Sequence, residues 1–104
     1  MLGGGEDEFL PISDNSCFSG AGERVDDREL IYKAVSSSYQ LVCDSTSFDL
    51  ISPSSSERVL GLFAGEGMTR PYSPMSASMA SKGIDILSKN PEGFFLMIEG
   101  GQID

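Results

Sequence analysis

Apolar residues in this chain fall into two patterns, short continuous runs and helically spaced stripes, which follow one another in order. Runs rich in apolar residues at 39–43, 59–64 and 94–98 predict strands. The runs at 59–64 and 94–98 contain no polar side chain, which is typical of strands covered on both faces. Met1 and Leu2 look like the end of a further strand, because the glycines at 3–5 directly after them predict a turn.

Two segments carry a helical stripe instead. Asp26 and Asp27 are predicted to cap the first helix, which the serines at 36–38 end. The second is predicted from Pro74 to about Asn90, since proline suits the first helical position and Pro91 disfavours helical geometry in the residue before it. A short helical turn is expected around 48–51. The stripes comprise Leu30, Ile31, Ala34 and Val35 in the first helix, and Met75, Met79, Gly83, Ile86 and Leu87 in the second.

The order of these elements is strand, helix, strand, connection, strand, helix, strand. Such alternation predicts parallel pairing, because parallel neighbours need a crossover that usually carries a helix. We therefore predict an α/β fold, a partial and mostly parallel sheet with helices on its faces, formed by residues 1–104 without an internal domain boundary.

Composition narrows the possible partners. Sixteen acidic residues against seven basic ones give a net charge of −9, which argues against a nucleic acid and favours cations. No apolar run approaches the ~20 residues of a membrane span. The chain has no histidine, which excludes a self-contained zinc site in practice. Cys17 and Cys43 can pair in an oxidising compartment, but two cysteines alone do not establish a bond.

The candidate chemistry lies near the C-terminus. The apolar run at 94–98 leads directly to Glu99, and Asp104 follows five positions later, beyond the turn-forming glycines 100 and 101. Ligands and catalytic groups gather at the carboxyl edge of open α/β sheets, so both carboxylates are candidate site residues. The residues alone leave open a solvated loop at the sheet edge.

Other segments have simpler interpretations. The glycines at 3–5 are more plausible as a turn than as a phosphate cradle, because the acidic residues at 6–8 would repel an anion. Asp44, Ser45 and Thr46 superficially resemble an Asp-Ser-Ala nucleophile motif, but they follow the predicted strand at 39–43 and are interpreted as non-catalytic. Met75 and Met79 are interpreted as core filling, and Arg70 as a solvated charge.

The residues from 59 onward resemble a known family. Val59–Ala64, Leu87–Asn90 and above all the closing stretch 93–104 resemble the central part of the alkaline phosphatases, and the glycines at 3–5 with the strand from Tyr39 fit the same register. The resemblance implies the middle section of a three-layer α/β fold. It also implies a metal-dependent phosphomonoesterase that acts through a phosphoserine intermediate, uses two zinc ions and one magnesium ion, is usually dimeric, and is periplasmic, extracellular or at the cell surface.

By this resemblance, Glu99 is the magnesium ligand and Asp104 a zinc ligand, while Gln102 stands where many members have arginine. Two side chains are far fewer than the roughly ten ligands of such a site, and the family's nucleophilic serine is not in this chain. We therefore expect the isolated chain to be inactive. The alternative is a non-catalytic acidic α/β module that binds cations or proteins, or the product of a decayed gene.

Overall fold

The computed structural model describes residues 1–101, which form a small parallel sheet with helices on both faces. The predicted α/β class is confirmed. In chain order the elements are β1 (Leu2–Gly3), a 3-10 turn (Glu6–Phe9), α1 (Leu30–Ser36), β2 (Gln40–Val42), α2 (Ser45–Asp49), β3 (Val59–Leu62) and α3 (Ser76–Leu87).

Strand β3 is the centre of the sheet. The strand order is β1-β3-β2, and both pairs are parallel. Leu2 lies opposite Gly61, and Leu41 lies opposite Leu60. All three strands therefore end at the same edge, so the segments that follow them are neighbours in space.

Successive residues of β3 supply the two sides of the core, as the two-residue period of a strand requires. Val59 belongs to a cluster on the side of α2 and α3, whereas Leu60 and Leu62 belong to a cluster on the side of α1. The buried members are Val42, Phe48, Ile51, Val59 and Phe63 in the first cluster, and Leu10, Ile31, Leu60 and Leu62 in the second.

Helix α1 begins three residues after the predicted cap. The N-cap is Glu29, whose two carboxylate oxygens accept from the backbone N–H of Tyr32 at 3.0 and 2.9 Å. Asp26 is engaged elsewhere, because Arg24 Nε donates to its carboxylate at 2.8 Å and Nη2 at 2.6 Å. The hydrogen bond from Arg24 holds the pKa of the Asp26 carboxyl below its usual value. The predicted cap at Asp26 and Asp27 was therefore wrong by a few residues.

Helix α3 packs through part of its predicted stripe. Met79 and Ile86 contact the cluster around Phe48, as expected. Met75 is the N-cap and is 65% exposed, so its interpretation as core filling was wrong. None of the helices among residues 1–101 has the length and apolar content needed to cross a membrane.

The run at 94–98 is not a strand in this structure. It has no regular secondary structure, and Phe95 and Met97 are 86% and 75% exposed. Leu96 is half-buried, and its Cδ1 lies 3.9 Å from the point that a Cβ on Gly83 would occupy. The prediction failed because a strand forms only beside a partner, and within residues 1–101 no strand pairs with this run.

Candidate metal-binding segment and its surroundings

Glu99 follows the mostly exposed run 94–98, in a segment without regular secondary structure. The residue is exposed, and its Oε1 lies 3.8 Å from the point where a Cβ on Gly101 would stand. The expected place at the carboxyl end of a strand is not found, because the run before Glu99 has no regular secondary structure. Its carboxylate is open to solvent, and oxygen ligands of this kind suit Mg²⁺.

Asp104, the predicted zinc ligand, lies outside the described residues, as does Gln102. Across residues 1–101, no group of three or more histidine, cysteine, aspartate or glutamate side chains is placed to hold a metal ion. A metal site that included Glu99 would therefore need ligands beyond those that residues 1–101 bring together.

Gly3 is the last residue of β1, and Gly4 and Gly5 turn the chain at the carboxyl edge of the sheet. The N–H of Gly5 donates to the carbonyl oxygen of Glu66 at 2.7 Å, and that of Glu6 donates to Ala64 at 3.2 Å. Gly5 has a φ of 83°, and a Cβ on Gly4 would overlap the Glu66 carbonyl. These N–H groups bind backbone oxygens that follow β3, which agrees with the prediction of a turn and not of a phosphate cradle.

Asp44 and Ser45 start helix α2. The Asp44 carboxylate accepts from the Ser47 N–H at 2.7 Å, and the Ser47 hydroxyl lies 3.4 Å from the Asp44 N–H, which completes a capping box. The backbone N–H and the hydroxyl of Ser47 lower the pKa of the Asp44 carboxyl. A structural role of this kind explains why aspartate and serine stand here, and α2 begins three residues before the helical turn predicted at 48–51.

Two features at this edge were not assigned from the sequence. Cys17 and Cys43, whose pairing had been left open, form a disulfide with their Cα atoms 5.8 Å apart. Glu6 is 2% exposed, and its carboxylate accepts the N–H groups of Ser16, Cys17 and Phe18. Nothing local distinguishes Glu6 from its acidic neighbours, because its donors lie ten to twelve positions further along the chain.

The whole chain, residues 1–104, matches the family model described as alkaline phosphatase. It is 31% identical to the membrane-bound alkaline phosphatase of Bombyx mori and 33% identical to the repressible alkaline phosphatase of Saccharomyces cerevisiae, with all of this chain and 21% of each relative covered. It is 29% identical to the human tissue-nonspecific isozyme, with 100% of this chain and 23% of the relative covered. The chain thus spans about a fifth of the length of these relatives.

Proposed function

The chain belongs to the alkaline phosphatase family, and from that premise we propose that it is a section of a phosphoric monoester hydrolase. The observation that carries this proposal is the family match over residues 1–104, together with curated relatives near 30% identity that bear this name. The substrate class is phosphate monoesters, and the reaction passes through a phosphoserine whose serine is contributed by polypeptide outside this chain.

Residues 1–104 form one part of a single larger domain in this proposal. The support is that the relatives are about five times longer than the matched segment. The exposed run at 94–98 then becomes a strand when a neighbouring strand from the rest of the domain pairs with it, which would cover the side chains of Phe95 and Met97.

Glu99 and Asp104 are the metal ligands that this chain contributes, Glu99 to magnesium and Asp104 to one of two zinc ions. The support for Glu99 is chemical, since an exposed carboxylate at the end of an apolar run is free to join ligands supplied elsewhere. Bound divalent ions would stabilise the attacking and leaving oxygens of the phosphoryl transfer. This chain contributes the two carboxylates, which follow the apolar run at 94–98 in the sequence.

The working protein is a homodimer in a periplasmic, extracellular or cell-surface location. The Cys17–Cys43 disulfide supports such a location, because disulfides persist in oxidising compartments and are rare in the cytosol.

The test uses a longer protein that contains this chain, with Glu99→Gln and Asp104→Asn made separately. Metal content by mass spectrometry and hydrolysis of p-nitrophenyl phosphate are measured together. We expect each variant to lose one bound metal and to hydrolyse the ester at least roughly tenfold more slowly, the scale seen when metal surroundings are disturbed. Glu92→Gln is the matched control, because Glu92 is an exposed carboxylate seven residues before Glu99.

Full metal content and full rate in both variants would remove these residues from the site. A longer protein without any phosphomonoesterase activity would instead favour the non-catalytic acidic module. For the 104-residue chain alone, supplied with zinc and magnesium, we expect no metal-dependent turnover of the same ester, since most ligands and the nucleophile lie elsewhere.

A further inference from the structure

The loop of residues 11–24, here called the disulfide loop, connects the 3-10 turn to the segment before α1. Cys17 in its middle is bonded to Cys43, 26 positions later and directly after β2. The bond therefore fixes the middle of the loop to the carboxyl end of an edge strand. Both cysteines are half-buried, so a small reductant can reach the bond.

The same part of the loop surrounds the carboxylate of Glu6. Ser16 N–H donates to Oε1 at 2.9 Å, Cys17 N–H to Oε2 at 3.1 Å and Phe18 N–H to Oε1 at 3.3 Å. Backbone N–H groups from consecutive residues form a concave anion site. Glu6 is almost fully buried, so removal of these donors would leave a charged group without compensation.

Glu6 is held in turn by the segment after β3. Its own N–H donates to the Ala64 carbonyl at 3.2 Å, and the N–H of Asp7 donates to the Gly65 carbonyl at 3.0 Å. The Cβ of Phe18 lies 3.7 Å from the point that a Cβ on Gly65 would occupy. The disulfide, the loop N–H groups and Glu6 thus connect the segments that follow all three strands.

The C-terminal end of the disulfide loop is held by separate backbone hydrogen bonds. Glu23 N–H donates to the Asp7 carbonyl at 2.8 Å, and Arg24 N–H donates to the Leu10 carbonyl at 3.0 Å. Leu60 and Leu62 belong to a core cluster that does not include the loop. The middle of the loop can therefore leave Glu6 while the loop ends and the sheet stay in place.

We propose that the Cys17–Cys43 bond is a redox-sensitive clamp that keeps residues 16–18 on Glu6, so that the disulfide loop is closed when the bond is formed and opens when it is reduced. A dithiol supplies the electrons. One of its thiolates attacks a cysteine sulfur to form a mixed disulfide, and its second thiol then displaces the remaining cysteine. Two cysteine thiols are produced, the dithiol becomes a disulfide, and two electrons and two protons are transferred.

Hydrogen–deuterium exchange of the 104-residue chain tests this, with and without dithiothreitol. We expect exchange at the N–H groups of residues 16–18 to rise by roughly tenfold or more on reduction, because local opening sets their protection. Exchange at the N–H groups of Gly61 and Phe63, which donate to Met1 and Gly3 across the sheet, should change by less than about twofold.

Two variants separate the clamp from simpler explanations. Cys17→Ser with Cys43→Ser should reproduce the reduced pattern without reductant. Glu6→Gln should raise exchange at 16–18 while the disulfide is intact but add little after reduction, because the loop has already left Glu6.

Unchanged exchange at 16–18 on reduction would overturn the proposal, since Glu6 alone would then hold the loop. An equal rise in β3 would also overturn it, because the bond would then support the whole fold. Additive effects of Glu6→Gln and reduction would show that the disulfide and the hydrogen bonds to Glu6 hold the loop independently. That result would also overturn the proposal. The clamp does not depend on the proposed phosphatase activity.

Discussion

Two apolar runs have opposite environments in this molecule. Val59–Leu62 is the central strand, and all four of its residues are buried. Phe94–Ile98 lies outside the sheet, with Phe95 86% exposed and Ile98 60% exposed. The difference is in their neighbours, since β3 has a parallel strand on each side and the later run has none within residues 1–101.

This contrast shows that an apolar run indicates a segment that needs strand partners and apolar cover. Whether the segment forms a strand depends on the presence of neighbouring strands. Backbone N–H and C=O groups of a strand need partners on adjacent strands, and apolar side chains need a surface to cover them. Leu96 meets part of this requirement by packing near Gly83 of α3. The rest of the run offers a large apolar surface, which is typical of an interaction site.

The largest expected effect comes from truncating one residue in each run. Leu62→Ala should lower the free energy of unfolding by about 2–5 kcal/mol, because Leu62 is fully buried and a cavity would remain. Ile98→Ala should change it by no more than about 0.5 kcal/mol in this chain, since its side chain is already mostly in water. Urea unfolding followed by circular dichroism measures both, and equal losses would mean that the later run is packed in solution.

Glycine substitutions at the turn after β1 should give the next largest effect. Gly4→Ala should destabilise the chain by about 1–3 kcal/mol, because the new Cβ would overlap the Glu66 carbonyl, which belongs to rigid backbone. Gly3→Ala is the matched control, since nothing lies within 4 Å of its Cβ position. Urea unfolding curves of the two variants measure the difference. An unchanged free energy of unfolding in Gly4→Ala would show that the turn can move away from the end of β3.

Helix α3 contacts both the core around β3 and the run at 94–98. Lys82 connects the helix to the core through hydrogen bonds to the end of α2. Lys82 Nζ donates to the carbonyls of Phe48 at 2.7 Å and Asp49 at 3.2 Å at the end of α2, and lies 4.5 Å from the centre of the Phe48 ring. We expect Lys82→Met to cost about 1–2 kcal/mol, through lost hydrogen bonds and lost interaction with the helix end.

Lys89→Met is the comparison for this effect. Lys89 Nζ donates to the Ser56 carbonyl at 2.6 Å from an exposed position, so its loss should be smaller. Thermal unfolding of the two variants side by side measures the difference. Equal shifts in Tm would mean that the contacts of Lys82 with α2 contribute no more than a surface hydrogen bond.

The sequence predicted the parts of the fold that depend on local pattern. The sequence located the strands predicted at 39–43 and 59–64 and the approximate extents of α1 and α3. These elements are predictable because burial and helical periodicity determine the spacing of apolar residues. The strand at 94–98 was wrong because pairing depends on distant chain. Glu6 was missed for the same reason, since its N–H donors at 16–18 are brought to it by the loop and not by local sequence.

The candidate site was only partly accessible to the same reasoning. Glu99 was expected at the carboxyl end of a buried strand, but the run before it is not a strand among the described residues. Its role as a magnesium ligand came from family resemblance and stays a prediction. A metal site gathers ligands from separate segments, and the described residues supply no group of three. The residue pattern of one segment can therefore identify a candidate metal ligand, but it cannot identify the other ligands of the same site.

The smallest expected effect is a pH dependence of helix α2, whose N-cap is the exposed carboxylate of Asp44. The pKa of Asp44 is lowered from its ordinary value of 3.8 by hydrogen bonds from Ser47, so the folded state binds the proton less readily than the unfolded one. Its contribution to stability is therefore fully present above the ordinary value and is lost as the pH falls through the lower, folded-state pKa. Unfolding curves between pH 6 and about pH 2 should show this loss in the original chain and a flatter profile in Asp44→Asn. Because Asp44 caps α2, which packs against β3, the loss should appear as faster hydrogen exchange in α2, with little change at 94–98. An identical pH profile in the variant would mean that other carboxyl groups account for the acid sensitivity.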